Sequence, residues 1–149
     1  MFGYLIDPEM EQITTVDYNG DYKEITKIIK APSGLFCVVP LYDDDRVDVF
    51  LDDEGLYVQD QYFWMHRNYP QPLCGCGLVL GLDDEGDSVS PDVQLVDLSF
   101  DVRFIGDRAT MQLFMKLYGD RADYRDILFP PIEKGVAEAT PLSPPPLPS

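Results

Sequence analysis

Residues 72–92 read PLCGCGLVLGLDDEGDSVSPD, with Gly75, Gly77 and Gly81 beside Cys74 and Cys76, and five acids downstream. Three chemistries could be housed in such a stretch: a metal site, a phosphate cradle, or an apolar strand that ends in an acidic turn. A phosphate cradle aims backbone N–H groups and a helix N-terminus at the anion. Here GLVLGL, an apolar run with strand character, follows the glycines, and the acids behind it carry the wrong sign. The apolar run predicts a strand, its glycines and cysteines a tight lead-in, and Asp83-Asp84-Glu85-Gly86 a hairpin turn closed by glycine.

The same pentapeptide, Leu-Asp-Asp-Glu-Gly, occurs at 51–55 and again at 82–86, within unlike flanks. The repetition reads as one turn solution used twice rather than as a duplicated unit. Outward from these turns, FGYLI and QITTV on either side of Asp7-Pro8-Glu9 predict a hairpin. LFCVVPLY predicts a buried strand, Asp43-Asp44-Asp45 a turn, RVDVFL a returning strand, and LYVQ another beyond 55. YFWMHRNYPQP, with its two prolines, predicts a loop or edge strand over the sheet. In VDLSFDVRF, Val96, Leu98, Phe100, Val102 and Phe104 alternate with Asp97, Ser99, Asp101 and Arg103, the period of a strand with one wet face.

Helical spacing appears twice. Tyr22, Ile25, Ile28 and Ile29 form an apolar stripe that Asn19 or Asp21 can cap and Pro32-Ser33-Gly34 ends. Met111, Phe114, Met115 and Tyr118 form a second stripe, opened by Asp107 and closed by Gly119. DRADYRDILF adds a further short helix. The expected fold is α+β: a mostly antiparallel meander of about six or seven strands, with two or three helices on one face. An acidic body spans 1–129, and a Pro-rich disordered tail, with loose PxxP spacing, spans 130–149.

The chain of 149 residues carries 27 Asp+Glu against 11 Lys+Arg, a net charge of −16. The tail holds only Glu133, Lys134 and Glu138, so nearly all of this charge lies on the body. Such a surface repels nucleic acid and anionic membrane and attracts basic partners. Direct nucleic-acid binding and membrane insertion are not expected, and no apolar run approaches the roughly 20 residues of a spanning helix. The N-terminus lacks the features of a signal peptide. An odd count of three cysteines argues for a reduced, cytoplasmic protein.

For zinc, Cys74 and Cys76 with His66, and Cys37 as a fourth ligand, offer the right atoms at poor spacing. For calcium, Gly86 sits four residues into its acidic loop instead of six. No nucleophile motif accompanies the single histidine, so no catalytic residue and no cofactor are expected.

FGYLIDPE, VDYNGDYKEITKIIKA, DDEGL and YPQPLCGCGLVLGLDDEGDSVSP together resemble a family of small domains of unknown function from bacteria, plasmids and phages. The resemblance covers residues 1–92, and its most specific part is P-L-x-G-x-G-L-V-x-G with the acidic turn behind it. Family members do not regularly carry cysteine at 74 and 76, which weakens zinc further. The resemblance transfers no activity or catalytic residue. It implies a setting in which small acidic accessory proteins counter host defences, in the host cytoplasm where the gene is phage-borne.

The leading functional expectation is therefore a non-enzymatic protein that inhibits a basic host protein, through Asp43, Asp44, Asp45, Asp52, Asp53, Glu54, Asp83, Asp84, Glu85 and Asp87 acting in place of phosphates. Two alternatives remain: a small-molecule or metal-binding module using Tyr62, Phe63, Trp64 and His66, and a divalent-metal hydrolase.

Overall fold

Two antiparallel sheets lie face to face in a computed structural model that describes residues 1–43, 46–120 and 124–130. The first sheet contains β1 (Phe2–Asp7), β2 (Gln12–Asp17), β3 (Phe36–Tyr42), β4 (Val47–Asp52), β7 (Gly77–Leu82) and the short β8 (Ser88–Val89). Their order is β2-β1-β7-β4-β3, with β8 also on β7. GLVLGL thus becomes the middle strand, antiparallel to both β1 and β4, and Leu78, Val79 and Leu80 are fully buried. A strand covered on both faces reads as a continuous apolar run. The second sheet has the order β6-β5-β9, from β5 (Tyr62–His66), β6 (Leu73–Cys74) and β9 (Val102–Asp107).

Three apolar layers bind these elements. Between the sheets, Tyr4, Ile6, Val47, Val49 and Val79 pack against Trp64, Leu73, Leu98 and Val102. On the outer face of the first sheet, α1 (Ile25–Ile28) and the residue after it set Ile25 and Ile29 on Leu78 and Leu80. On the outer face of the second, α3 (Arg108–Tyr118) and α4 (Tyr124–Leu128) cover Phe63, Met65 and Ile105 with Phe114 and Leu128. The fold is α+β with a mostly antiparallel sheet, as the sequence predicts. It differs from the expected meander in that a second sheet is present and the helices lie on both outer sides.

Several local expectations hold. The 2–17 hairpin forms in full register, and the hairpin from β7 to β8 turns at Asp83–Asp87. Asp107 caps α3 by accepting from the Thr110 amide at 2.9 Å. Asp21 accepts from the Lys23 amide at the predicted helix start, although only a 3-10 turn (Tyr22–Glu24) and the single turn of α1 follow.

Four expectations do not. VDLSFDVRF is no continuous strand: α2 (Leu95–Phe100) precedes β9, and Val96 is 71% exposed where alternation buries it. Nor does Arg103 face water; it lies beneath α4, its Nε donating to the Leu128 carbonyl. YFWMH is the central strand of the second sheet, buried on both faces, because Pro70 and Pro72 lie beyond its end. LFCVVPLY is an edge strand, in keeping with Pro40, which cannot donate to a ladder. LYVQ forms no strand; a 3-10 turn (Gly55–Tyr57) stands there. The Pro-rich tail beyond Pro130 lies outside the described residues.

Candidate functional site

The segments that carry the family resemblance meet in one cleft of about 160 Å³. Asp7, Pro8 and Glu9 come from the β1–β2 turn, Ile29 and Lys30 from the end of α1, Asp52 from the end of β4, and Gly75 and Cys76 from the lead-in to β7. Val58, Asp60 and Gln61 complete the wall. Four carboxylates and one ammonium group therefore line it.

The glycines shape this cleft through backbone geometry. Gly75 adopts φ +73°, the left-handed region that disfavours a side chain. Its amide donates to the Tyr62 carbonyl at 2.9 Å, and its carbonyl accepts from the Trp64 indole at 3.0 Å. Gly77 is needed for space: a Cβ there would stand 2.6 Å from Val49 Cγ2 and 3.1 Å from the Trp64 ring. Gln61, itself buried, donates to the Gly55 carbonyl at 2.7 Å and accepts from the Tyr62 amide. Gln61 thereby closes the 55–61 loop on itself, and the Gly75 amide ties the neighbouring turn to Tyr62 at the loop's end.

Burial keeps the Cys74 and Cys76 thiols protonated at neutral pH. Burial foremost, with Asp7 and Glu9 beside it and Lys30 opposing, pushes the Cys76 thiol up to about 11. Burial likewise raises Cys74 to about 11, against Arg108. These thiols and His66 are not brought together. Among the described residues, only Asp83, Glu85 and Asp87 form a group of three metal-compatible side chains with ligand atoms within 4.8 Å. Asp83 there uses one oxygen to accept from the amides of Glu85 and Asp87, the bonding of a hairpin turn.

His66 belongs instead to a buried polar chain between the sheets. Its Nδ1 accepts from the Asn68 amide at 3.0 Å, which leaves the proton on Nε2. Nε2 donates to the Tyr42 hydroxyl at 3.0 Å, and that hydroxyl donates to Asp101 Oδ2 at 2.6 Å. Arg67 closes the chain on Asp101 Oδ1 at 2.8 Å and stacks over Phe100. Burial lowers His66 to about 4 and raises the Tyr42 hydroxyl far above its ordinary range. With His66 fully buried and each member bonded to the next, the chain locks two sheets together.

The acids singled out in the sequence fall into two groups. Asp43 lies on the β3–β4 turn, at the same end as Asp83, Asp84, Glu85 and Asp87, and Arg46 joins that turn to Asp84 at 3.2 Å. Asp52, Asp53 and Glu54 lie at the far end of β4, beside the cleft. Asp44 and Asp45 lie outside the described residues. The two groups are separated by the length of β4, about 17 Å at roughly 3.4 Å per residue. The repeated pentapeptide also has two structures. In both copies the first Asp accepts from the amide two residues on, at 3.0 Å for Glu54 and 2.9 Å for Glu85. Gly86 then takes φ +86° and closes a hairpin, whereas Gly55 enters the 3-10 turn.

Asp7, Glu9, Lys30, Asp60 and Gln61 were not legible as site residues one by one. For Asp7, Glu9 and Lys30 the signal lies in the resemblance, whose separate segments converge on this cleft; Asp60 and Gln61 lie outside those segments and carry no such signal.

A protein of Sinorhizobium fredii named "Uncharacterized protein y4iR" is 33% identical to this chain over 94 residues. The match takes in 63% of the chain and 57% of that relative, so the chain spans little more than half its length. No family model matches the chain, and no solved structure matches it. The likeness is thus to a distant relative that is itself uncharacterized. Among the described residues, no helix is long and apolar enough to cross a membrane.

Proposed function

We propose that the protein is a non-enzymatic binding module that takes a basic side chain of a protein partner into the Asp7/Glu9/Asp52/Asp60 cleft. In the setting that the family resemblance implies, the partner is a host protein with a basic surface, and occupying that surface inhibits it. The observation that carries this reading is the cleft itself: four carboxylates, from one turn, one strand end and one loop, around a cavity of about 160 Å³. Pockets for cofactors and drug-sized ligands run to roughly 300–1,000 Å³, so this one suits a single side chain. The division of the acids between two ends of the sheet favours a local pocket over a continuous imitation of a phosphate backbone.

Titration of labelled arginine- and lysine-containing peptides tests it. Affinity is expected to fall about tenfold between 20 and 200 mM NaCl, because screening weakens charge pairing. Glu9→Lys and Asp60→Lys, both at exposed positions, should abolish binding, while Glu85→Lys at the distant hairpin should leave it within about twofold. Binding that ignores salt, or that responds to Glu85 alone, would overturn the reading.

A further inference from the structure

Beside the cleft, an acidic protein displays two large apolar side chains. Leu56 is 63% exposed and Tyr57 is 85% exposed, on the 3-10 turn directly before the cleft residue Val58. Single exposed apolar residues are ordinary on protein surfaces. What sets this pair apart is how firmly its backbone is held.

Arg108, the first residue of α3, sends one guanidinium nitrogen to the carbonyls on both sides of Tyr57. The distances are 2.7 Å to Leu56 and 2.9 Å to Val58. The same guanidinium lies over the Phe63 ring at 5.3 Å, which fixes its position. Gln61 holds the Gly55 carbonyl at 2.7 Å, and the turn closes through Tyr57 N to Glu54 O at 3.0 Å. Four hydrogen bonds preorganise the loop while the Tyr57 side chain stays exposed. Rigid presentation of an exposed tyrosine lowers the ordering cost of binding and is a property of interface hot spots.

We infer that Leu56 and Tyr57 form the apolar half of the docking surface whose charged half is the cleft, and that the partner segment is an arginine flanked by apolar residues. This rests on the cleft reading above and extends it to a partner sequence. Arginine is favoured over lysine because its planar guanidinium stacks on an aromatic face and pairs with carboxylates through two parallel bonds. A flanking apolar side chain covers Leu56. Charge complementarity with Asp52 and Asp60 sets the orientation.

Fluorescence anisotropy with two labelled peptides of equal charge, one with arginine between glycines and one with arginine between leucines, tests the inference. The protein should prefer the leucine-flanked peptide by about tenfold. Tyr57→Ala should remove that preference but retain weak, salt-sensitive binding of both peptides, and Tyr57→Phe should keep the preference. Because Tyr57 is 85% exposed, the alanine variant should fold, which a thermal melt coincident with wild type verifies. A Tyr57→Ala variant indistinguishable from wild type, or equal binding of the two peptides, overturns the apolar half and leaves the cleft standing. If neither peptide shows salt-sensitive binding, both readings fall.

Discussion

The imidazole of His66 is held neutral from both sides of its ring, by the Asn68 amide on Nδ1 and the Tyr42 hydroxyl on Nε2. Burial is the main reason its pKa drops to about 4, with Arg125 and Arg67 adding to the shift and Asp101 opposing it. The unfolded chain takes up this proton near 6.5, so the stabilisation is complete above that pH and is lost as pH falls toward 4. Within the window the loss approaches about 1.4 kcal/mol per pH unit. His66→Leu should lower stability at pH 7 by about 1–3 kcal/mol, since it strips partners from Tyr42 and Asn68. It should also flatten the pH dependence between 6.5 and 4. Urea midpoints measured at intervals across that range decide the matter; parallel curves for wild type and variant would remove His66 as the titrating group.

At the scale of elements, the 95–107 segment shows how tertiary contacts displace local pattern. The alternation in VDLSFDVRF favours a strand, yet Leu95–Phe100 is helical and buries only Leu98. This brings Asp101, just past the helix, to the Tyr42 hydroxyl and the Arg67 guanidinium at 2.6 and 2.8 Å. A six-residue helix is too short for its period of 3.6 to outweigh a coincidental period of two. The two structures make opposite predictions for substitution. Val96→Lys should change stability by less than about 0.5 kcal/mol, whereas Leu98→Ala should cost about 2–5 kcal/mol. Equal, large costs for both in thermal or urea unfolding would restore the strand.

Over the whole molecule, charge dominates behaviour in solution. Of the ion pairs among the described residues, Arg67–Asp101 is the one with both partners largely buried, and Arg46–Asp84 has a fully exposed carboxylate. Exposed pairs contribute about 0–1 kcal/mol and cannot offset the repulsion of a net −16. The melting temperature should therefore rise as NaCl is increased from 20 to 200 mM, the reverse of the effect expected on the proposed peptide binding. A melting temperature that falls with salt over that range, followed by circular dichroism, would show that attractive pairs outweigh the repulsion.

Sequence alone determined the features that depend on neighbours along the chain. Asp107 caps α3, Asp83 and Gly86 close a hairpin, Phe2–Asp7 pairs with Gln12–Asp17, and GLVLGL is a strand, because caps, turns and apolar runs act over a few residues. Tertiary structure decided what depends on partners distant in the chain. The second sheet exists because Tyr62–His66 finds Val102–Asp107 across some forty residues. The LDDEG copies part ways because Gln61 and Arg108 anchor the loop after Gly55, while a β-ladder follows Gly86. The cleft, too, is a tertiary product: its carboxylates come from a turn, a strand end and a loop, and only the pairing of β1 and β4 through β7, with the loop before β5 alongside, sets them around one cavity.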